Sequence, residues 1–162
     1  MKFWKKGFSL FCAAAAMTFL ITGCSSSVGE EEPNKTVALS IICESLMREL
    51  DFPEMADVSN RYDVYYSLSD STVKECRLYV CSSGAYPDEL AVFLLNDPTE
   101  HEKLKTVINA RREYLLETWK SYKPGEVPKI ENSKFLEYSG YYFYVISENE
   151  EKASEVLGRY FG

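Results

Sequence analysis

The sequence predicts an α+β fold: an N-terminal helix, then two ββα units, with four strands in one antiparallel sheet and helices packed mainly on one face. Three observations predict it. Apolar residues recur at helical spacing near residue 40 and again in two later segments. Two pairs of strand-like segments are each joined by a Gly-containing turn. Helix-start signals follow each pair, at Asp97 and at Ser147.

The elements follow in order. Asn34 caps a first helix whose Leu39, Ile42, Cys43, Leu46 and Leu50 share one face, and Pro53 limits its continuation. Glu75 to Ser82 alternates, with Cys76, Leu78 and Val80 on one side and Arg77, Tyr79 and Cys81 on the other. A polar connection from Ser83 to Glu89 leads to a more continuously apolar strand, Leu90 to Leu95. Asp97-Pro98-Thr99-Glu100 opens a long helix with Asp97 as cap. Leu104, Ile108, Leu115 and Trp119 form its apolar stripe, and Pro124 marks its end. Val127 to Tyr138 reads as extended, Ser139-Gly140 as a turn, and Tyr141 to Ser147 as the last strand. Ser147-Glu148-Asn149-Glu150 reads as a capping box before a helix with Ala153, Val156, Leu157 and Tyr160 on one face.

Ahead of this domain lies an address. Lys2, Lys5 and Lys6 precede an apolar run from Phe8 to Leu20, the pattern of an export signal, and the run is shorter than the roughly 20 residues a spanning helix needs. Ile21-Thr22-Gly23-Cys24 resembles the lipobox of bacterial lipoproteins. That resemblance implies cleavage between Gly23 and Cys24, acylation of Cys24, and a place at the cell membrane on its extracytoplasmic face. The expected organisation is a signal peptide over 1–23, a lipidated Cys and acidic tether over 24–35, and a single domain over 36–162. Loss of residues 1–23, which hold three Lys and no acid, takes the net charge from −7 to −10. Such a charge repels anionic lipid headgroups. It also speaks against nucleic-acid binding, which depends on Lys and Arg neutralising phosphates.

Ser83-Gly84-Ala85, followed by Asp88-Glu89-Leu90-Ala91-Val92-Phe93, resembles the hairpin signature of an uncharacterised family of small bacterial lipoproteins, a domain of unknown function common in clostridia and related Gram-positive bacteria. Tyr122 to Asn132, Gly140, the Tyr142 to Ser147 strand, and Arg111 or Arg112 are similar to it as well. Ser67 stands where the family's Tyr-Gly pair has Gly, and Tyr86-Pro87 replaces smaller loop residues. The resemblance implies an anchored extracytoplasmic domain and brings no activity or catalytic residue.

Candidate chemistry is sparse. His101, the only His, falls in a helix first turn between Glu100 and Glu102, a solvated position, so triads built on His are not expected. No pattern of metal-ligating residues occurs, and no cofactor is expected. Cys43, Cys76 and Cys81 admit a Cys43–Cys76 bridge or buried free thiols, the latter favoured. Arg111 interrupts the apolar stripe between Ile108 and Leu115. Its stem covers apolar surface while its head reaches water or a carboxylate, or it coordinates an anion or partner. With Trp119, Tyr122, Tyr142 and Tyr144 it forms the expected binding surface. The functional expectation is a non-catalytic, membrane-anchored binding or accessory domain whose partner is an envelope protein or glycan. The alternatives are an envelope hydrolase using paired carboxylates and a glycan-binding module using exposed aromatics.

Overall fold

The computed structural model describes residues 35–162, with side chains from residue 39 onward. The export signal, Gly23, Cys24, the acidic tether and the Asn34 cap lie outside the described residues. The fold is α+β. Helix α1 (Lys35–Glu49) leads to a short strand β1 (Met55–Asp57) and a small helix α2 (Tyr62–Tyr66). Strands β2 (Val73–Cys81) and β3 (Glu89–Leu95) follow, then the long helix α3 (His101–Tyr122) and the short α4 (Val127–Glu131). A hairpin of β4 (Lys134–Tyr138) and β5 (Tyr141–Ile146) precedes α5 (Ala153–Phe161).

All neighbouring strands are antiparallel, in the order β1-β2-β3-β5-β4. The sheet thus has five strands rather than four. The added edge strand β1 pairs Met55 with Cys81 and Asp57 with Tyr79. Three residues are too few to display a period of two.

Helices cover both sheet faces, which corrects the expectation of one helical layer. On one face, Leu78, Ala91, Phe93, Tyr142 and Tyr144 pack with Tyr66 of α2, Leu104, Ile108, Leu115 and Trp119 of α3, and Ile130 of α4. On the other, Leu90, Val92, Phe143 and Val145 pack against Leu39, Ile42, Cys43, Leu46 and Leu50 from α1 and its end, and against Ala153, Val156 and Leu157 of α5. Alternation along β3 and β5 sends successive side chains to opposite layers. With both sides dry, all six residues of β5 are buried. Cys43 belongs to one layer and Cys76 packs on the other, and Cys43, Cys76 and Cys81 are all free thiols.

Local signals operate largely as the sequence implies. Asp97 Oδ1 accepts from the Thr99 amide at 2.9 Å, and Pro98 occupies the first turn. The two-residue turn between β4 and β5 uses positive φ at Ser139 (49°) and Gly140 (79°), the backbone a tight twisted hairpin requires. Two expectations fail. Val127 to Glu131 is helical rather than extended, because Pro124, in the helical turn before it, and Pro128 each stand in a first turn, where proline's fixed φ suits a helix. No side-chain cap forms at the start of the last helical segment. Asn149 Nδ2 instead donates to Asp51 Oδ2 at 2.7 Å, and the buried Ser147 hydroxyl has no partner among the described residues.

Ser67 ends α2 in the left-handed region, at φ 52°, with its amide donating to the Asp63 carbonyl at 2.8 Å. A residue with Cβ is strained there, and its exposed side chain recovers nothing through packing. Ser67→Gly should therefore stabilise the fold by about 0.5–1 kcal/mol. Urea denaturation checks this; an unchanged or lowered midpoint would contradict it.

Candidate functional site

The chain places two acids side by side where β3 begins, and both are buried: Asp88 is 2% exposed and Glu89 1%. Glu89 shares the face of Ala91 and Phe93 and so points beneath α3. Burying a carboxylate requires an opposite charge and full hydrogen bonding. For Glu89 both come from helices. Arg111 Nη2 donates to Glu89 Oε2 at 2.6 Å, and Arg111 Nε donates to the same carboxylate at 3.2 and 3.3 Å. The Tyr66 hydroxyl donates to Glu89 Oε1. Burial pushes the Tyr66 phenol well above its ordinary range, and the adjacent Glu89 charge pushes it the same way.

The far side of Arg111 is aromatic. Its guanidinium carbon lies 4.9 Å from the ring centre of Tyr65 and 5.7 Å from that of Tyr114. Arg61 stands 5.9 Å from the same Tyr65 ring. Together with Val64 these four side chains line an open cavity of about 340 Å³. A smaller one of about 180 Å³ adjoins it, sharing Tyr65, Arg111 and Tyr114. Cationic heads over aromatic faces contribute about 0.5–1 kcal/mol each when exposed.

Asp88 is held separately. Lys129 Nζ donates to its Oδ2 at 3.0 Å and also contacts Glu126 at 3.2 Å and Glu148 at 3.5 Å. Burial raises the Asp88 carboxyl above its ordinary value, against the pull of Lys129. This cluster ties the β2–β3 connection to α4. Arg112 serves a similar end, its Nε donating to the Ile130 carbonyl at 3.2 Å and its Nη2 to that of Glu131 at 2.9 Å.

The structure divides the sequence-derived binding surface. Arg111 stands at the groove. Trp119 (6% exposed), Tyr142 (3%) and Tyr144 (1%) are buried, because α3 and α4 cover the sheet face they occupy. Tyr122 is 67% exposed at the end of α3, its ring meeting Trp119 edge-on. His101 is solvated and pairs with Glu102 at 3.0 Å. Among the described residues, no group of three or more His, Cys, Asp or Glu side chains could hold a metal ion, and no helix is long and apolar enough to cross a membrane.

Sequence reasoning missed Glu89, Tyr65, Tyr66, Arg61 and Tyr114. One signal was available: an acid beside an apolar strand and a base on an apolar helical stripe each need a partner.

These parts coincide with a known sequence family. The model of the family described as a domain of unknown function, DUF4358, matches residues 48–147, more than half of the chain. The chain belongs to the DUF4358 family. The match runs from the last turn of α1 through β5 and contains every residue of the Glu89 network and of the groove. Most of α1 and all of α5, which cover one face of the DUF4358 sheet, lie beyond it. No curated protein and no solved structure matches the chain.

The buried phenols and thiols give the domain an alkaline limit. Burial raises Cys43 from an ordinary 9.0 to about 12, and Tyr144 from 10.0 to about 12. A raised folded-state pKa contributes stability that is fully present below the unfolded value and lost as pH rises through the folded one. Stability should therefore hold to about pH 9 and fall steadily towards pH 12. Urea midpoints measured across that range should decline in step with tyrosinate absorbance. Full ionisation of every tyrosine near pH 10 with the fold intact would contradict it.

Proposed function

We propose that the chain is an exported lipoprotein, cleaved between Gly23 and Cys24 and held at the extracytoplasmic face of the cell membrane by acyl chains on Cys24. Its folded domain is a non-catalytic binding module that engages an envelope partner at the groove between α2 and α3. The anchor rests on the basic start, the short apolar run and the lipobox. One acyl chain holds only marginally, so stable attachment takes two or more.

The observation that carries the binding reading is the convergence of Arg61, just ahead of α2, Tyr65 of α2, and Arg111 and Tyr114 of α3 on one open cavity, with Arg111 oriented by a buried acid. Aromatic and Arg side chains together are the composition of binding hot spots. The adjacent acids support binding over hydrolysis, because each is engaged by its own cation and held out of solvent. A two-acid hydrolase needs its carboxyl groups facing one another across a substrate.

Two measurements test the proposal. Intact mass of membrane-extracted protein should show acyl groups on Cys24, and a chain beginning elsewhere without lipid would refute the anchor. A photo-crosslinking residue at position 114 should yield one discrete adduct in living cells, and Arg61→Glu should abolish it. Adducts equally strong from a crosslinker at the exposed Glu131 would refute the groove.

A further inference from the structure

Arg111 has more hydrogen-bonding capacity than Glu89 uses. A guanidinium offers two edges that can each take a planar carboxylate, one formed by Nε and Nη2 and one by Nη1 and Nη2. Glu89 occupies the first. Among the described residues nothing accepts from Nη1, so the second edge is unclaimed, and Arg111 lines the 340 Å³ cavity. Arg61 makes no ion pair among the described residues and lines the same cavity. Among the described residues no acid lines it, in a chain with 25 acids and 18 bases.

We infer that this groove is a carboxylate-binding site, in which the free edge of Arg111 and the head of Arg61 grip a monocarboxylate whose flat apolar body lies against Tyr65, Val64 and Tyr114. This deepens the proposed binding role and rests on it. Charge selects the class. Glu89 cancels Arg111, leaving a net of one positive charge from Arg61, which balances a carboxylate and leaves a phosphate dianion in excess. Rigidity favours it too. The Arg111 head is fixed by the buried carboxylate and stacked on Tyr65 before any ligand arrives, so little side-chain freedom is lost on binding. Val64 is 65% exposed and Tyr114 60%, so an apolar body has uncovered surface to meet. The volume lies within the range of small-ligand sites, about 300–1,000 Å³.

The test is a titration of the full chain in detergent micelles, followed by amide NMR, with three probes: N-acetylphenylalanine, its uncharged amide, and phenyl phosphate. The acid should give saturable shifts centred on Val64, Tyr65, Arg111 and Tyr114, and the amide should not. Arg61→Gln, a change at an exposed position, should weaken the acid about fivefold with the fold retained. Equal binding of acid and amide, tighter binding of phenyl phosphate, or the absence of a saturable shift at millimolar acid would overturn the inference. Should the position-114 crosslink persist while the acid fails to bind, the groove reading stands and the ligand class falls.

Discussion

A carboxylate buried at the start of the central strand sets the terms for much of this domain. Glu89 cannot lie beneath α3 as an isolated charge, for the effective cost after relaxation is several kcal/mol. Its compensation comes from Arg111, 22 residues later in the chain, and from Tyr66, 23 residues earlier. One side chain thereby fixes the place of α2 and of α3 on the same sheet face. The requirement that buries Glu89 also immobilises Arg111. The groove is therefore a by-product of core electrostatics, a rigid cation whose outer edge faces solvent between two tyrosine rings.

The second constraint is a sheet with no wet face. Helices α3, α4 and α2 cover one side and α1 and α5 the other, so the aromatic residues of β5 are core rather than platform. This explains why Tyr142 and Tyr144 are unavailable to a ligand, while the open groove lies between α2 and α3. It also explains the composition of the central strands. Leu90 to Leu95 is apolar without alternation because both faces of β3 must be dry. That continuity was legible in the sequence as a departure from the alternating pattern of the neighbouring strand.

What could be read from residues alone follows the range of the interactions concerned. Leu39, Ile42, Cys43 and Leu46 sit within one helix and Leu50 directly at its end, and a local period reveals them. Asp97 caps a turn two residues away, and Ser139-Gly140 closes a hairpin within four. By contrast β1 is held by pairing with β2 across more than twenty residues and carries no pattern of its own. Val127 to Glu131 has too few apolar residues for a period to decide between strand and helix, and the prolines decide it instead. Ser147 to Glu150 has the composition of a capping box, yet Asn149 is claimed by Asp51 from the other end of the domain. The site behaves likewise. Arg111 stood out as a charge on an apolar stripe, whereas its partner Glu89 and its neighbour Arg61 are joined to it only by the tertiary fold. Membership in DUF4358 identifies the domain, and its matched stretch, from the end of α1 through β5, contains the residues that build the groove.

The central claim is that Glu89 and Arg111 act as one unit, and a double-mutant cycle in urea measures that directly. Glu89→Gln and Arg111→Gln should each destabilise the domain by about 3–5 kcal/mol, since each leaves a buried group without its counterpart. The double variant should cost far less than their sum, with a coupling energy of about 2–3 kcal/mol. Strictly additive effects, with coupling under about 0.5 kcal/mol, would show that the two side chains contribute independently and would contradict the account.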